Sequence, residues 1–83
     1  MYRLIIKHSA ERDIRRLSPV AQEQIRAAID KLRDNPRPPG VRRLVSDFRW
    51  RLRVGDYRVL YQIDDDEQSV TIDRVRHRRE VYR

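Results

Sequence analysis

The sequence predicts an α+β fold in which an N-terminal strand and a two-helix hairpin precede three antiparallel strands. Apolar residues recur at helical spacing before residue 35 and alternate strictly after residue 48. The stretch NPRPPG, residues 35–40, separates the two patterns because its prolines cannot continue a regular element. Within the alternating half, Gly55-Asp56 suits a two-residue hairpin turn. We expect the helices to pack on one face of a small twisted sheet and to leave the other face open.

The first half of the chain contains one strand and two helices. Residues 2–7 include an apolar run that suits a buried strand. Ser9 is expected to cap a short first helix that ends near Leu17. Ser18 and Pro19 then start a second helix with the favoured order of an N-cap serine and a proline at the first helical position. The two apolar stripes consist of Ala10, Ile14 and Leu17, and of Ala21, Ile25, Ala28, Ile29 and Leu32.

The second half of the chain contains a hairpin and a last strand. After the proline-rich loop or lid, Leu44 of the segment 41–45 is expected to pack on the core. An acidic turn, residues 64–67, leads into a strand over residues 69–75. The turn lacks the glycine and the distal glutamate of a calcium loop, so we interpret it as solvated. The core face of the hairpin is expected to carry Phe48, Trp50, Leu52, Val54, Tyr57, Val59, Tyr61 and Ile63.

The chain is small and strongly basic. Its 83 residues carry a formal net charge of +7, which indicates a polyanionic partner such as nucleic acid, an acidic protein or a membrane surface. All but two of its 20 basic residues are arginine, a bias that fits either bidentate phosphate contacts or a GC-rich genome. The absence of cysteine excludes disulfides and thiolate-bound zinc. No apolar run suits a signal peptide or a membrane span, so we expect one cytoplasmic domain over residues 1–83, without membrane contact.

The open face of the predicted hairpin collects arginine. With Gly55-Asp56 as the turn, Arg53 lies opposite Arg58, and Arg49 and Arg51 point the same way. Like charges directly opposite each other in an antiparallel pair cost up to about 1 kcal/mol. An anion would offset this repulsion, because several guanidinium groups can hold one phosphate or a dianionic phosphorane. The alternative is a solvated face whose arginines keep an exposed edge from aggregating.

The C-terminal stretch RVRHRREVYR, residues 74–83, forms a second basic cluster. A last strand antiparallel to the second hairpin strand brings the start of this cluster close to Arg58. Guanidinium groups are poor proton donors, so His77 and Tyr82 are the candidates for proton transfer. Stacking on a base is the alternative role of Tyr82.

Four stretches of the chain resemble the RelE/ParE superfamily of bacterial toxins, and specifically its RelE-type mRNA interferase branch. These stretches are LSPVAQEQI, NPRPPGVRRL, RWRLRVGDYRVLYQI and VRHRREVYR. The resemblance implies the RelE-like fold, a companion antitoxin similar to RelB, and metal-independent cleavage of mRNA in the ribosomal A site. It also implies that the ribose 2′-hydroxyl attacks the adjacent phosphate and leaves a 2′,3′-cyclic phosphate and a 5′-hydroxyl.

The same resemblance assigns roles to single residues. Arg58 matches an arginine that holds the scissile phosphate. Arg78 matches an arginine that stabilises transition-state charge or the leaving oxygen, and Tyr82 matches a tyrosine that stacks on or orients the substrate. The further arginines expected to contact RNA or phosphate are Arg49, Arg53, Arg74 and Arg76.

Two positions depart from the family pattern. Arg49 and Arg51 stand where relatives carry lysines, one of which is a proposed general base. Arginine is harder to deprotonate than lysine. We therefore expect an electrostatic role for Arg51 and prefer His77 as the proton carrier.

Three functions compete at this point. The first is a ribosome-dependent mRNA endonuclease, the second a ParE-like inhibitor of DNA gyrase that acts by protein contact, and the third a basic domain that only binds RNA. The expected proximity of His77 and Tyr82 to Arg58 favours the first, since gyrase inhibition gives no reason to gather proton donors around phosphate-binding arginines. The expected partners are the antitoxin, in a toxin–antitoxin hetero-oligomer, and the ribosome with its mRNA.

Overall fold

The computed structural model describes residues 1–44 and 48–81, which form a five-stranded sheet with two helices packed on one face. The sheet order is β1-β5-β4-β3-β2; β1 is parallel to β5, and the other neighbours are antiparallel. This confirms the predicted α+β class. No helix in the described ranges is both long and apolar enough to cross a membrane. The elements are β1 (Arg3–Ile6), α1 (His8–Arg15), α2 (Pro19–Lys31), β2 (Arg42–Arg43), β3 (Trp50–Val54), β4 (Tyr57–Asp64), β5 (Ser69–His77) and α3 (Arg78–Val81).

The two helices begin in different ways. α2 begins as predicted, because Ser18 Oγ accepts a hydrogen bond from the Ala21 N–H at 3.2 Å and proline follows the cap. The prediction that Ser9 caps α1 is wrong, since α1 already begins at His8. Ser9 instead donates to the backbone carbonyl of Asp73 at 2.8 Å. The pairing of β1 with β5 ends at Ile72, one residue before Asp73. Ser9 of α1 therefore satisfies the Asp73 carbonyl in place of a backbone N–H from β1.

The hydrophobic core lies between the helices and the sheet. The hairpin alternation places Val59 and Tyr61 fully inside it, as predicted. The prediction for Phe48 is wrong: it is 80% exposed, because β3 begins only at Trp50. Leu44 is half-buried rather than a core residue, and residue 45 of its predicted segment lies outside the described residues. The core consists of Ala10, Ile14, Ile25, Ile29, Leu32, Val59, Tyr61, Val70, Ile72 and Val75.

β3 and β4 form the predicted hairpin in the predicted register. Arg53 lies opposite Arg58, and Val54 lies opposite Tyr57. Gly55 has a φ angle of 58°, a left-handed conformation that glycine adopts without the strain of a side chain. The turn therefore sets which hairpin residues share the open face.

β5 contains a bulge that changes which of its residues face the core. The register between β4 and β5 shifts between Leu60 and Tyr61, which leaves Asp73 as an extra residue in β5. Ile72 and Val75 are consecutive core residues three positions apart, whereas an unbroken strand places core residues two apart. The alternation of β5 is therefore inverted after the bulge.

Candidate nucleic-acid interface

Arginine side chains face one another across neighbouring strands on the open face of the sheet. Arg42 of β2 lies opposite Arg51 of β3, and Arg53 of β3 lies opposite Arg58 of β4. Arg58 is in turn opposite Arg76 of β5. Each such pair costs a few tenths to about 1 kcal/mol. This arrangement is unfavourable for the fold alone.

Part of this face forms a cleft of about 390 Å³, which we name the arginine cleft. It brings together three of the predicted site residues, Arg51, Arg53 and Arg58, and it includes four arginines and no carboxylate among its described lining residues. The lining residues are Pro39, Gly40, Arg42, Arg51, Leu52, Arg53 and Arg58.

Arg58 is the buried member of the arginine cleft, with 6% of its surface exposed. Its Nη1 donates to the Tyr57 carbonyl at 3.0 Å and lies 3.5 Å from the Gly55 carbonyl. Within the described ranges, no carboxylate pairs with this guanidinium. Guanidinium carries five N–H donors in a planar fork, so donors remain that these carbonyls do not use. The low-dielectric surroundings of the Arg58 guanidinium strengthen a hydrogen bond from these donors to an anion.

A second, shallow cleft, of about 420 Å³, lies beside the first on the same face. It holds the other predicted phosphate contacts, Arg49, Arg74 and Arg76. It also contains the buried carboxylate of Asp73, so its charge is mixed. The lining residues are Lys7, Ser9, Arg49, Gln62, Asp73, Arg74 and Arg76.

An ion pair between α1 and β5 fixes the start of the basic cluster. Asp13 accepts two hydrogen bonds from the Arg74 guanidinium, at 2.8 and 3.1 Å, and a third from the Val75 N–H at 2.9 Å. Burial alone raises the pKa of the Asp13 carboxyl, but these hydrogen bonds outweigh it and hold that pKa below its ordinary value. Asp13 thus covers the edge of β5 beyond the end of β1.

His77 does not join Arg58 in the arginine cleft, contrary to expectation. It is the β5 partner of Tyr57, and the two rings meet edge to face with centroids 5.5 Å apart. Its Nδ1 accepts a hydrogen bond from the Arg79 N–H at 3.3 Å. The bulge at Asp73 places His77 on the helix side of the sheet, because it inverts the alternation of β5.

The basic C-terminal stretch starts at the hairpin turn, as predicted. The Arg78 N–H donates to the Asp56 carbonyl at 2.7 Å, which anchors the start of α3 there. The Arg78 side chain is exposed. Tyr82, the remaining predicted site residue, lies outside the described residues.

The proline-rich loop is a fixed wall of the arginine cleft. The Tyr61 hydroxyl donates to the Pro36 carbonyl at 2.7 Å, and burial raises the pKa of Tyr61. Arg37 donates twice to Asp65 of the acidic turn, at 3.2 and 2.9 Å, and its guanidinium lies 5.1 Å from the Trp50 ring centroid. These contacts hold the loop where its next residues line the cleft. Of the two interpretations of this segment, a loop or a lid, these contacts favour a loop.

Sequence reasoning missed Arg42 and the polar group around Asp73. A two-residue strand shows no alternation, so the position of Arg42 opposite Arg51 was not visible. The signal for Asp73 was present, because apolar spacing in β5 changes from two to three residues around it.

Comparison with known proteins assigns the class of the molecule. The model of the ParE toxin family of type II toxin–antitoxin systems matches residues 4–82, and the chain belongs to this family. It is therefore a toxin of a type II toxin–antitoxin system in the RelE/ParE superfamily.

Individual relatives agree with this assignment. The chain is 37% identical over 79 residues to Toxin RelG of Mycobacterium tuberculosis, a match that covers 90% of this chain and 88% of the relative. It is similar to a chain of the M. tuberculosis RelBE2 toxin–antitoxin complex, with a TM-score of 0.82, 29% identity, and coverage of 92% of this chain and 96% of that one. The isolated E. coli RelE toxin shares the fold, with a TM-score of 0.79, 24% identity, and coverage of 99% and 92%.

Proposed function

We propose that this toxin is an endoribonuclease that cleaves mRNA at the ribosome. The observation that carries the proposal is the buried Arg58 guanidinium in a cleft with three more arginines and no carboxylate among its described lining residues. Such a cleft suits a phosphodiester, because guanidinium forks bind two phosphate oxygens at once. The resemblance to RelE-type mRNA interferases favours mRNA as the source of that phosphodiester.

The proposed reaction is a transesterification within the RNA. The ribose 2′-oxygen forms a bond to the adjacent phosphorus and gives up its proton, the bond from phosphorus to the 5′-oxygen breaks, and that oxygen takes up a proton. The products are a 2′,3′-cyclic phosphate and a 5′-hydroxyl. Arg58, with Arg51 and Arg53, stabilises the dianionic phosphorane between these steps. This charge stabilisation requires no metal.

Proton transfer needs a different group, because guanidinium is a poor acid and base. Because His77 faces the helix side of the sheet, Tyr82 transfers the proton in this reaction, and Arg78 stabilises the charge on the leaving oxygen. The Arg78 N–H is anchored next to the hairpin turn, and Tyr82 comes four residues later in the sequence.

The proposed partners follow from the same basic face. Relatives from M. tuberculosis and E. coli occur in complexes with their antitoxins. We propose that a RelB-like antitoxin binds this chain as well and covers the cationic face with an acidic or amphipathic segment. When the antitoxin is absent, the same face binds ribosomal RNA and mRNA.

Gyrase inhibition is the second candidate, and the matched family model, which describes a ParE toxin, favours it. The expected proximity of His77 to Arg58 was one argument against gyrase inhibition. His77 does not lie in the arginine cleft, so this argument no longer applies. The arginine cleft remains the argument for the nuclease.

Mapping mRNA 5′ ends after induction of the protein in bacteria separates the two candidates. The nuclease produces new, codon-phased cuts, which Arg58→Ala abolishes and the exposed helix variant Arg12→Ala retains. Gyrase-linked DNA breaks without such cuts would overturn the proposal.

A further inference from the structure

The second cleft contains a buried carboxylate, that of Asp73. The Asp73 side chain is 8% exposed. Its two oxygens accept hydrogen bonds from Gln62 Nε2 at 2.9 and 2.8 Å, and Oδ1 lies 3.0 Å from Lys7 Nζ. Burying a carboxylate carries a desolvation cost, which the lysine and the amide offset by holding the carboxylate between the end of β1 and β4.

The Asp73 carboxylate lies on the open face beside the bulge in β5, since Asp73 follows the core residue Ile72. Asp73 is the extra residue of the bulge, and its own carbonyl is held by Ser9 at 2.8 Å. Bulges re-aim side chains and are frequent next to binding sites. Asp73 lines the second cleft.

Asp73 orients two polar groups that point outward. A carboxylate only accepts hydrogen bonds, so the amide nitrogen of Gln62 faces it and the amide oxygen Oε1 faces away. The Lys7 ammonium has three donors and directs one of them at Asp73. In the part of the chain that the structure describes, neither Gln62 Oε1 nor the other Lys7 donors have a protein partner. The cleft therefore presents an oriented acceptor beside an oriented donor.

This combination fits a nucleobase better than a phosphate. A phosphate only accepts hydrogen bonds, so the Gln62 oxygen and the Asp73 carboxylate disfavour it. The base edges of single-stranded RNA carry both donors and acceptors, and proteins read RNA sequence there. The two clefts adjoin at the Arg58–Arg76 pair, and Gln62 lies about 13 Å along β4 from Arg58. A few nucleotides of single-stranded RNA span that distance.

We propose that Lys7, Gln62 and Asp73 form a nucleobase subsite that reads one base of the RNA whose phosphate lies in the arginine cleft. Gln62 and Lys7 contact the base, and Asp73 is the positioning residue that orients them. The inference rests on the proposed function for its ligand.

Binding of short oligoribonucleotides with 2′-O-methyl riboses tests the subsite without cleavage, because these riboses lack the attacking hydroxyl. The set varies the base at each position in turn and includes an abasic residue, and fluorescence anisotropy of the labelled RNA measures affinity. The wild-type protein is expected to distinguish bases at one position by roughly tenfold. Gln62→Ala and Lys7→Ala are expected to abolish this discrimination.

Two controls separate base reading from general charge or misfolding. Arg12→Ala removes an exposed positive charge on α1 and is expected to keep the discrimination. Asp73→Asn keeps the shape of the side chain, and its loss of discrimination with an unchanged urea midpoint supports the positioning role. Equal binding of abasic and intact RNA by the wild type, or an equal loss for all RNAs in the Gln62 and Lys7 variants, would overturn the inference.

The outcome is independent of nuclease activity. Base discrimination without cleavage of unmodified mRNA on ribosomes overturns the proposed function and keeps the subsite. Cleavage of unmodified mRNA without base discrimination overturns the subsite and keeps the proposed function.

Discussion

Arg53 and Arg58 lie directly opposite each other across the β3–β4 hairpin, and both guanidinium groups approach the Gly55 carbonyl at 3.5 Å. Their like charges repel each other and destabilise the free protein. When a phosphate is bound, both charges attract it and stabilise the complex. Folding and binding therefore place opposite demands on this pair.

Replacing Arg53 tests that opposition. Arg53→Ala is expected to raise the free energy of unfolding by a few tenths to about 1 kcal/mol, because it removes a like charge opposite Arg58. The same variant is expected to bind RNA more weakly at moderate salt. Urea unfolding and RNA anisotropy measure the two quantities, with Arg12→Ala as the matched control. A loss of both stability and affinity would indicate that Arg53 supports the fold.

Asp13 gives the fold an acid-sensitive contact. Asp13→Ala is expected to cost about 2 to 3 kcal/mol, because it leaves the Val75 N–H without its acceptor and removes the two hydrogen bonds that Asp13 accepts from Arg74. The folded-state pKa of Asp13 lies below its ordinary value, so its stabilisation is present above about pH 4 and is lost as the pH falls through the lowered pKa. Asp13→Asn should therefore flatten the acid limb of stability against pH, as measured by urea midpoints from pH 2 to 7. An unchanged limb would contradict this role.

The Tyr61 hydroxyl anchors the wall of the arginine cleft. Tyr61→Phe is expected to lower the free energy of unfolding by about 1 to 2 kcal/mol, since the Pro36 carbonyl loses its buried donor. Burial raises the folded-state pKa of Tyr61, so the neutral phenol stabilises the fold below about pH 10 and this contribution is lost as the pH rises through the raised pKa. Thermal unfolding between pH 7 and 11 compares the variant with the wild type. A constant difference up to pH 11 would contradict the burial of the phenol.

Tyr82 has two proposed roles that substitution can separate. Tyr82→Phe keeps the aromatic ring for stacking and removes the hydroxyl, whereas Tyr82→Ala removes both. If the hydroxyl transfers a proton, single-turnover cleavage of mRNA on ribosomes falls by about 10²-fold or more in the Phe variant. Wild-type cleavage by the Phe variant, with loss in the Ala variant, would leave stacking as the role.

The sequence predicted what local patterns determine. Alternation and Gly55-Asp56 were enough for the hairpin register, and Ser18 with Pro19 was enough for the start of α2. The parallel pairing of β1 with β5 depends on contacts between distant parts of the chain, for which local spacing carries no information.

Three predicted site residues that precede the bulge lie together, whereas His77, which follows it, does not join them. Arg51, Arg53 and Arg58 precede the bulge in the chain, and their common cleft follows from the hairpin. His77 was expected beside Arg58 because a last strand antiparallel to β4 brings the start of the basic cluster close to Arg58. The extra residue, Asp73, inverts the alternation of β5 and turns His77 toward Tyr57.

The most direct test of the phosphate-binding role of Arg58 is the chemistry of mRNA ends after incubation with ribosomes and the purified toxin. Wild type and Arg12→Ala should yield a 5′-hydroxyl and a 2′,3′-cyclic phosphate. Arg58→Ala should cut at least about 10²-fold more slowly, as expected when a donor to the transition-state oxyanion is lost, and Arg58→Lys should fall between because it keeps the charge without the fork. Wild-type rates from a folded Arg58→Ala protein, or no cleavage by the wild type, would contradict this account.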